Sequence, residues 1–319
     1  MSSALADAAR AIRGSVQVAL ACHVSPDGDA LGSMLAMHHV LRHHGIASVA
    51  SFSEPFMVAP HYRELPGLDL LTAPAQFPES PDVMVTFDCG SLRRLGDLEV
   101  PAKAARELIV IDHHRSNDRY GTINVIDERA AASGVVVREL VRTLGFALDR
   151  DAAVCLYAAL VCDTGRFQYE STTPSVFDLA RELVEFDIPI ASLSRTLFEE
   201  HRFAYLQLVA TVLQRAQLET DRRFVWTVVT QADLERFDVT MDEVEGLIDI
   251  VRRTREAEVT AVLKEDPDGS LRVSLRSVSE IDVCVIAEAM GGGGHRFAAG
   301  FTAPGPASLV VDRIRAALG

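Results

Sequence analysis

Apolar positions along the chain follow two rhythms. Short continuous runs at residues 16–22, 83–87 and 108–111 have the length and β-branched content of buried strands, and 48–52 is a weaker run of the same kind. Longer segments repeat their apolar residues at helical spacing, over 1–14, 30–44 and 152–162. Gly45 predicts the stop of the second helix. Prolines at 55, 60, 66, 74, 78 and 81 predict loop and short helix over 54–81, and Pro174 and Pro189 interrupt a helical stretch over 171–201. Further on, a helix is expected over 206–218 and a strand over 224–230. Thr240-x-x-Glu243 reads as a capping box opening a helix that runs to 254. Residues 258–264 and 271–277 pair around Asp266-Pro-Asp-Gly269, a strong turn signal. A helix over 282–290 runs into the glycines 291–294.

The pattern predicts an α/β fold: a first domain over 1–190 with a parallel sheet, a helical connection over 191–214, and a smaller α/β domain over 215–319. A chain of 319 residues suits two domains.

The strands of the first domain end on unusual residues. The first leads into His23-Val-Ser-Pro-Asp27-Gly-Asp29, the second into Asp88, the third into Asp112-His113-His114, and the helix over 152–162 into Asp163. Taken singly, such acids cap helices or sit in turns, and Asp29 is the expected cap of the helix that follows. An open parallel sheet, however, gathers ligands at the carboxyl ends of its strands. That assumption brings four such positions, two of them carrying histidine, to one edge. Oxygen donors with imidazole suit Mn²⁺ or Mg²⁺ better than a closed structural zinc site. The repetition points to two cations about 3.5–4 Å apart that share a carboxylate and a hydroxide and clamp an in-line phosphoryl displacement. In the second domain, the glycine run leaves backbone N–H groups open to an anion, with His295 and Arg296 beside it.

Charge narrows the partners. The net charge of −14 lacks the basic footprint of a protein that coats long nucleic acid. Lys103 and Lys264 are the only lysines among 31 Lys and Arg residues, so phosphate contacts fall to arginine, histidine, backbone N–H groups and metal. The five cysteines form no CxxC pair and predict buried thiols in a reducing cytoplasm. No apolar window reaches membrane-spanning length. His38, His39, His43 and His44 are expected on a surface or interdomain face of their helix, and Trp226 in the core.

Together the motifs resemble the DHH phosphoesterase superfamily: H-x-x-P-D-x-D-A-x-G-S at 23–33, Asp88 at a strand end, D-H-H-x-x-N at 112–117 and D-T-G-x-F at 163–167. The tail, with S-L-R-S at 274–277 and G-G-G-H at 292–295, is similar to the DHHA1 domain. The resemblance covers nearly the whole chain. It implies a DHH domain and a DHHA1 domain with a cleft between them. Within the superfamily the sequence is most similar to the enzymes that degrade very short RNAs and dephosphorylate 3′-phosphoadenosine 5′-phosphate (pAp).

The resemblance implies roles. His23, Asp27 and Asp88 would hold one Mn²⁺. Asp29, Asp88, His113 and Asp163 would hold the other, and Mg²⁺ or Co²⁺ are possible substitutes. Asp88, Asp112 and His114 form the catalytic set: the first is shared between the metals, the second orients an imidazole, the third faces the scissile phosphate. Asn117, Ser133, Arg276, Gly293, Gly294, His295 and Arg296 would bind the substrate, a short RNA or a nucleotide such as pAp, pApA or cyclic di-AMP. A cytoplasmic homodimer is implied. The rivals are a family II pyrophosphatase, a RecJ-type exonuclease on single strands, and a nucleotide-sensing module without turnover.

Overall fold

The computed structural model describes residues 2–278 and 280–319. They form two compact units that divide between Glu200 and His201.

The first unit is built on five parallel strands: β1 (Gln17–Cys22), β2 (Ala47–Ser51), β3 (Val83–Phe87), β4 (Glu107–Asp112) and β5 (Ile123–Ile126), in the order β2-β1-β3-β4-β5. Its helices are α1 (Ser2–Arg13), α2 (Gly28–His43), α3 (Glu99–Ala104), α4 (Ser133–Thr143), α5 (Arg150–Asp163), α6 (Pro174–Val184) and α7 (Ile190–Phe198). Every residue of β3 is buried, which explains its unbroken apolar sequence. Helices α1, α2, α4 and α5 share one core with one side of the sheet, while Leu95, Leu98 and Ala102 close the other. The strand order reverses between β1 and β3, the switch point where open parallel sheets place their ligands.

α2 and α5 are almost wholly buried and lie very close together. A Cβ on Gly32 would sit 2.5 Å from the Cys155 carbonyl oxygen, so only glycine permits the approach. This burial overturns the expected setting of two histidines. His38 and His39 are inside: His38 Nδ1 is 2.9 Å from Ser48 Oγ, and His39 Nε2 is 3.1 Å from the Pro66 carbonyl oxygen. Burial pushes the His38 imidazole down to about 4, with the charges of Arg42 and His39 adding to it.

Some boundaries differ from the sequence pattern. The helix expected over 1–14 is α1, with Met1 outside the described residues. Asp27, not Asp29, caps α2, accepting the N–H groups of Asp29 and Ala30 at 3.1 and 3.0 Å. Residues 171–201 divide as expected, with Pro174 starting α6.

The second unit carries a six-stranded sheet ordered β10-β11-β9-β8-β7-β6. Its strands are β6 (Gln217–Glu219), β7 (Phe224–Val229), β8 (Val259–Glu265), β9 (Ser270–Ser277), β10 (Gly293–His295) and β11 (Ala298–Pro304). The helices are α8 (Phe203–Gln214), α9 (Gln231–Phe237), α10 (Leu247–Val251), α11 (Val283–Glu288) and α12 (Ala307–Leu318). Only β7 and β8 run parallel. The Asp266–Gly269 turn joins β8 to β9 as expected. The helix expected over 206–218 stops at Gln214, and 217–219 pairs with β7. The one expected over 240–254 is reduced to a 3-10 turn and short α10. A complete capping box occurs instead at Thr230 and Asp233. Trp226 is half-buried, its indole N–H donating to Glu219 at 2.8 Å.

Half of the glycine run is strand rather than open loop. Gly293, Gly294 and His295 pair with Gly300, Ala299 and Ala298, and a Cβ on Gly292 would collide with the Gly300 carbonyl oxygen. Glycine serves here for close approach of strands as much as for exposing N–H groups. Among the described residues no helix is long and apolar enough to cross a membrane.

Candidate metal centre

The residues that end β1, β3 and β4, with those that begin α2 and end α5, converge at the carboxyl edge of the first sheet. Ligand atoms of His23, Asp27 and Asp88 lie within 4.8 Å of one another, and so do those of Asp29, His113 and Asp163.

Two imidazoles are oriented alike. His23 Nδ1 is 2.8 Å from the Val24 carbonyl oxygen and His113 Nδ1 is 3.1 Å from that of Ala130. A carbonyl only accepts, so each ring donates from Nδ1 and leaves Nε2 as the ligand atom. His23 Nε2 faces Asp88 Oδ2 at 3.6 Å and Asp27 Oδ2 at 3.9 Å. His113 Nε2 faces Asp163 Oδ2 at 3.1 Å, and Asp29 Oδ2 and Asp88 Oδ1 at 3.5 Å each. Lone pairs turned toward carboxylate oxygens repel unless a cation or a proton lies between them. That donor set, oxygen with imidazole and no thiol, fits divalent cations of the Mn²⁺ or Mg²⁺ type.

Asp88 joins the two groups, giving one oxygen to each. Its backbone is left-handed, at φ 52°, which aspartate tolerates better than most residues. Asp27 divides its work: Oδ1 caps α2 and Oδ2 faces His23. Asp29 is fully buried yet satisfied. Ser33 Oγ and the Gly134 N–H donate to Oδ1 at 3.0 Å each, and the Ser133 N–H donates to Oδ2 at 2.6 Å. It thereby caps α4 from a distance, where the local cap residue Ala132 offers no side-chain acceptor.

Burial and neighbouring charges shift the titration of the cluster in opposite directions. Burial raises the Asp29 carboxyl well above its usual range, helped by the charges of Asp88 and Asp163; burial raises Asp163 as well. Burial opposes the charged form of His113, but hydrogen bonds to Asp163 and Asp88 win and raise it. Burial likewise pushes Asp88 upward, and the surrounding imidazoles, His114 foremost, outweigh it and hold it well below the carboxylate range. The site draws in positive charge, as a cation site must.

His114 is placed differently. Its Nδ1 lies 2.8 Å from Asp112 Oδ1, which also accepts the N–H groups of His113 and His114 at 2.7 and 3.1 Å. Burial disfavours its charged form, but Asp112 and Asp88 raise its pKa.

Two of the residues expected to contact substrate, Asn117 and Ser133, also make hydrogen bonds within the cluster. Asn117 Nδ2 donates to Asp112 Oδ2 at 2.5 Å and to the Cys89 carbonyl oxygen at 3.2 Å, while its Oδ1 accepts the Arg119 N–H at 2.6 Å. Ser133 is buried and gives its hydroxyl to Asp88 Oδ1 at 3.0 Å. Both side chains hold carboxylates. Ser33 and Gly134 also hold Asp29.

The remaining expected contacts belong to the second unit. The register sets Arg276 opposite Ala298 and Ala298 opposite His295, on three adjacent strands. Arg276 is half-buried, with Nε 3.9 Å from Asp249 Oδ1. Gly293 and Gly294 lie on β10, and Arg296 follows it and pairs with Glu280 at 2.5 Å.

A parallel sheet with this acid and histidine cluster at its switch point defines a phosphoester hydrolase of the DHH type. Residues 17–160 match the DHH family, N-terminal domain, and residues 223–318 match the DHHA1 domain, so the chain carries both domains. It is 29% identical over 285 residues to the probable bifunctional oligoribonuclease and PAP phosphatase NrnA of Streptococcus mutans, covering 87% of this chain and 86% of that one. It is 29% identical over 304 residues to the bifunctional oligoribonuclease and PAP phosphatase NrnA of Thermus thermophilus, covering 94% and 88%. The crystal structure of an exopolyphosphatase-related protein from Bacteroides fragilis superposes with a TM-score of 0.89, at 22% identity, over 100% of this chain and 96% of that one, and shares the fold.

Proposed function

We propose that the protein hydrolyses very short oligoribonucleotides and the 3′-phosphate of pAp, using two divalent cations, with Mn²⁺ as the working metal. His23, Asp27 and Asp88 would hold one cation; Asp29, Asp88, His113 and Asp163 would hold the other. Such a pair supplies Lewis acidity toward phosphoryl oxygens and a nucleophilic water at neutral pH. The observation that carries this reading is the matched orientation of His23 and His113, whose Nε2 atoms face opposite oxygens of Asp88.

The chain's own groups do the rest. Asp112 holds His114 by Nδ1, which leaves Nε2 as the atom that would carry a proton to the leaving oxygen. Ser133, Ser33 and Asn117 fix the carboxylates, so little reorganisation is needed when charge develops. In the second unit, Arg276, His295, Arg296 and the backbone of Gly293 and Gly294 are the set assigned to a terminal phosphate and nucleotide. The two relatives named above carry both activities in their names, which favours this reading over a pyrophosphatase or a long-strand exonuclease. Linear pApA and cyclic di-AMP are the further substrates assigned to the site.

A substrate panel with Mn²⁺ tests the proposal. Diribonucleotides to pentaribonucleotides and pAp are expected to yield mononucleotides. Rapid hydrolysis of pyrophosphate alone, processive degradation of long single-stranded DNA, or recovery of every nucleotide intact would overturn it.

A further inference from the structure

We propose that Tyr120 is a positioning residue for the shared carboxylate Asp88 and for the Asp112–His114 pair, acting through the carbonyl oxygen of Cys89. The proposal rests on Asp88 and His114 serving the reaction as set out above.

The Cys89 carbonyl is a junction. It accepts the Tyr120 hydroxyl at 3.0 Å and Asn117 Nδ2 at 3.2 Å. Tyr120 Oη also lies 2.9 Å from Thr86 Oγ1. The directions of these bonds follow from counting protons. The carbonyl only accepts, so the phenol proton goes to Cys89, and Thr86 donates to Tyr120 in preference to the Ile109 carbonyl oxygen, which is farther at 3.5 Å. The other amide proton of Asn117 goes to Asp112 Oδ2, and Asp112 Oδ1 holds His114 Nδ1. These contacts tie Thr86, Tyr120, Asn117 and His114 together through two shared acceptors, the Cys89 carbonyl and the Asp112 carboxylate.

The same junction fixes Asp88. This residue ends β3 in a left-handed conformation that the peptide after it must match. The N–H of Asp88 donates to the Ile111 carbonyl oxygen at 3.0 Å, and the carbonyl oxygen of Gly90 accepts the Asp118 N–H at 2.9 Å. The β3 and β4 loops are therefore stitched together on either side of Cys89, and the Tyr120 hydroxyl with the Asn117 amide closes the middle. Tyr120 is placed for this by Gly121, where a Cβ would stand 2.7 Å from the Leu108 carbonyl oxygen. Phenylalanine would fill the ring's space and lose only the hydroxyl.

The test uses the full-length protein with Mn²⁺ and pApA. Tyr120→Phe is expected to lower kcat about 10-fold and to weaken Mn²⁺ binding, read by calorimetry, by a similar factor, with KM changed less than about twofold. Thr86→Val is expected to move both in the same direction by less, and Thr86→Ser, which keeps the donor, to retain wild-type values. Wild-type kcat and Mn²⁺ affinity in Tyr120→Phe would overturn the proposal, as would a lowered melting temperature with kcat per folded molecule unchanged. Asp88→Asn assayed alongside separates the two readings. If it is inactive while Tyr120→Phe is wild type, the positioning role fails alone; if it is active, the underlying mechanism fails with it.

Discussion

Ser133 donates its backbone N–H to Asp29 Oδ2 at 2.6 Å across 104 positions of sequence. A carboxylate of the proposed metal site thus doubles as the cap of α4, and the next N–H, from Gly134, takes its other oxygen. Binding and folding share one side chain.

That sharing has a measurable consequence in metal-free protein. Asp29→Ala removes the cap and leaves two buried N–H groups unsatisfied, so a stability loss on the order of 2 kcal/mol is expected. Asp163→Ala removes a carboxyl that burial already disfavours and caps nothing. Its melting temperature without metal is expected to stay at or above wild type. Urea unfolding of both variants in chelator reads the difference.

Ser133→Ala isolates one hydrogen bond to the shared carboxylate. The backbone N–H to Asp29 remains, while the hydroxyl to Asp88 is lost. A roughly 10-fold fall in turnover or in Mn²⁺ affinity is expected, as for other residues that hold a ligand from behind. A change confined to KM would instead restore the serine to the substrate.

Gly32 tests the packing beneath the site. Any side chain there meets the α5 backbone, so Gly32→Val is expected to destabilise the first unit by about 1–3 kcal/mol through overpacking. Thermal unfolding in the absence of metal checks it.

Acid stability has a local source. Glu182 pairs with Arg138 and Arg142; burial pushes its carboxyl up, but the two guanidinium groups hold it below its usual value. A carboxyl depressed in the folded state contributes stability above its unfolded pKa, and that contribution is lost as pH falls through the folded value. Wild type is therefore expected to lose stability between about pH 5 and pH 3 more steeply than Glu182→Gln, measured by urea midpoints across that range.

The strands and their acids were legible in sequence because a strand buried on both faces is written as an unbroken apolar run, and β1, β3 and β4 are such runs. β5 leaves a weak pattern because it lies at the sheet edge and only Val125 of its four residues is fully buried. His38 and His39 are buried despite their polarity, each with one ring nitrogen partnered inside, by Ser48 and by the Pro66 carbonyl. Asn117 and Ser133 also hold carboxylates of the cluster, a role their polarity alone does not reveal. Their partners lie on other loops, and hydrogen bonds that join separate loops leave no spacing in a sequence. Tyr120 was invisible for the same reason.

The proposed two-cation chemistry requires Asp88 to serve both ions at once. Manganese bound per chain, titrated in wild type and in Asp88→Asn with hydrolysis of a diribonucleotide followed in the same samples, addresses this directly. Two Mn²⁺ per wild-type chain are expected, with tight binding lost and turnover reduced at least about 100-fold in the variant. A single Mn²⁺ in wild type, or an Asp88→Asn protein that binds two and turns over normally, would contradict it.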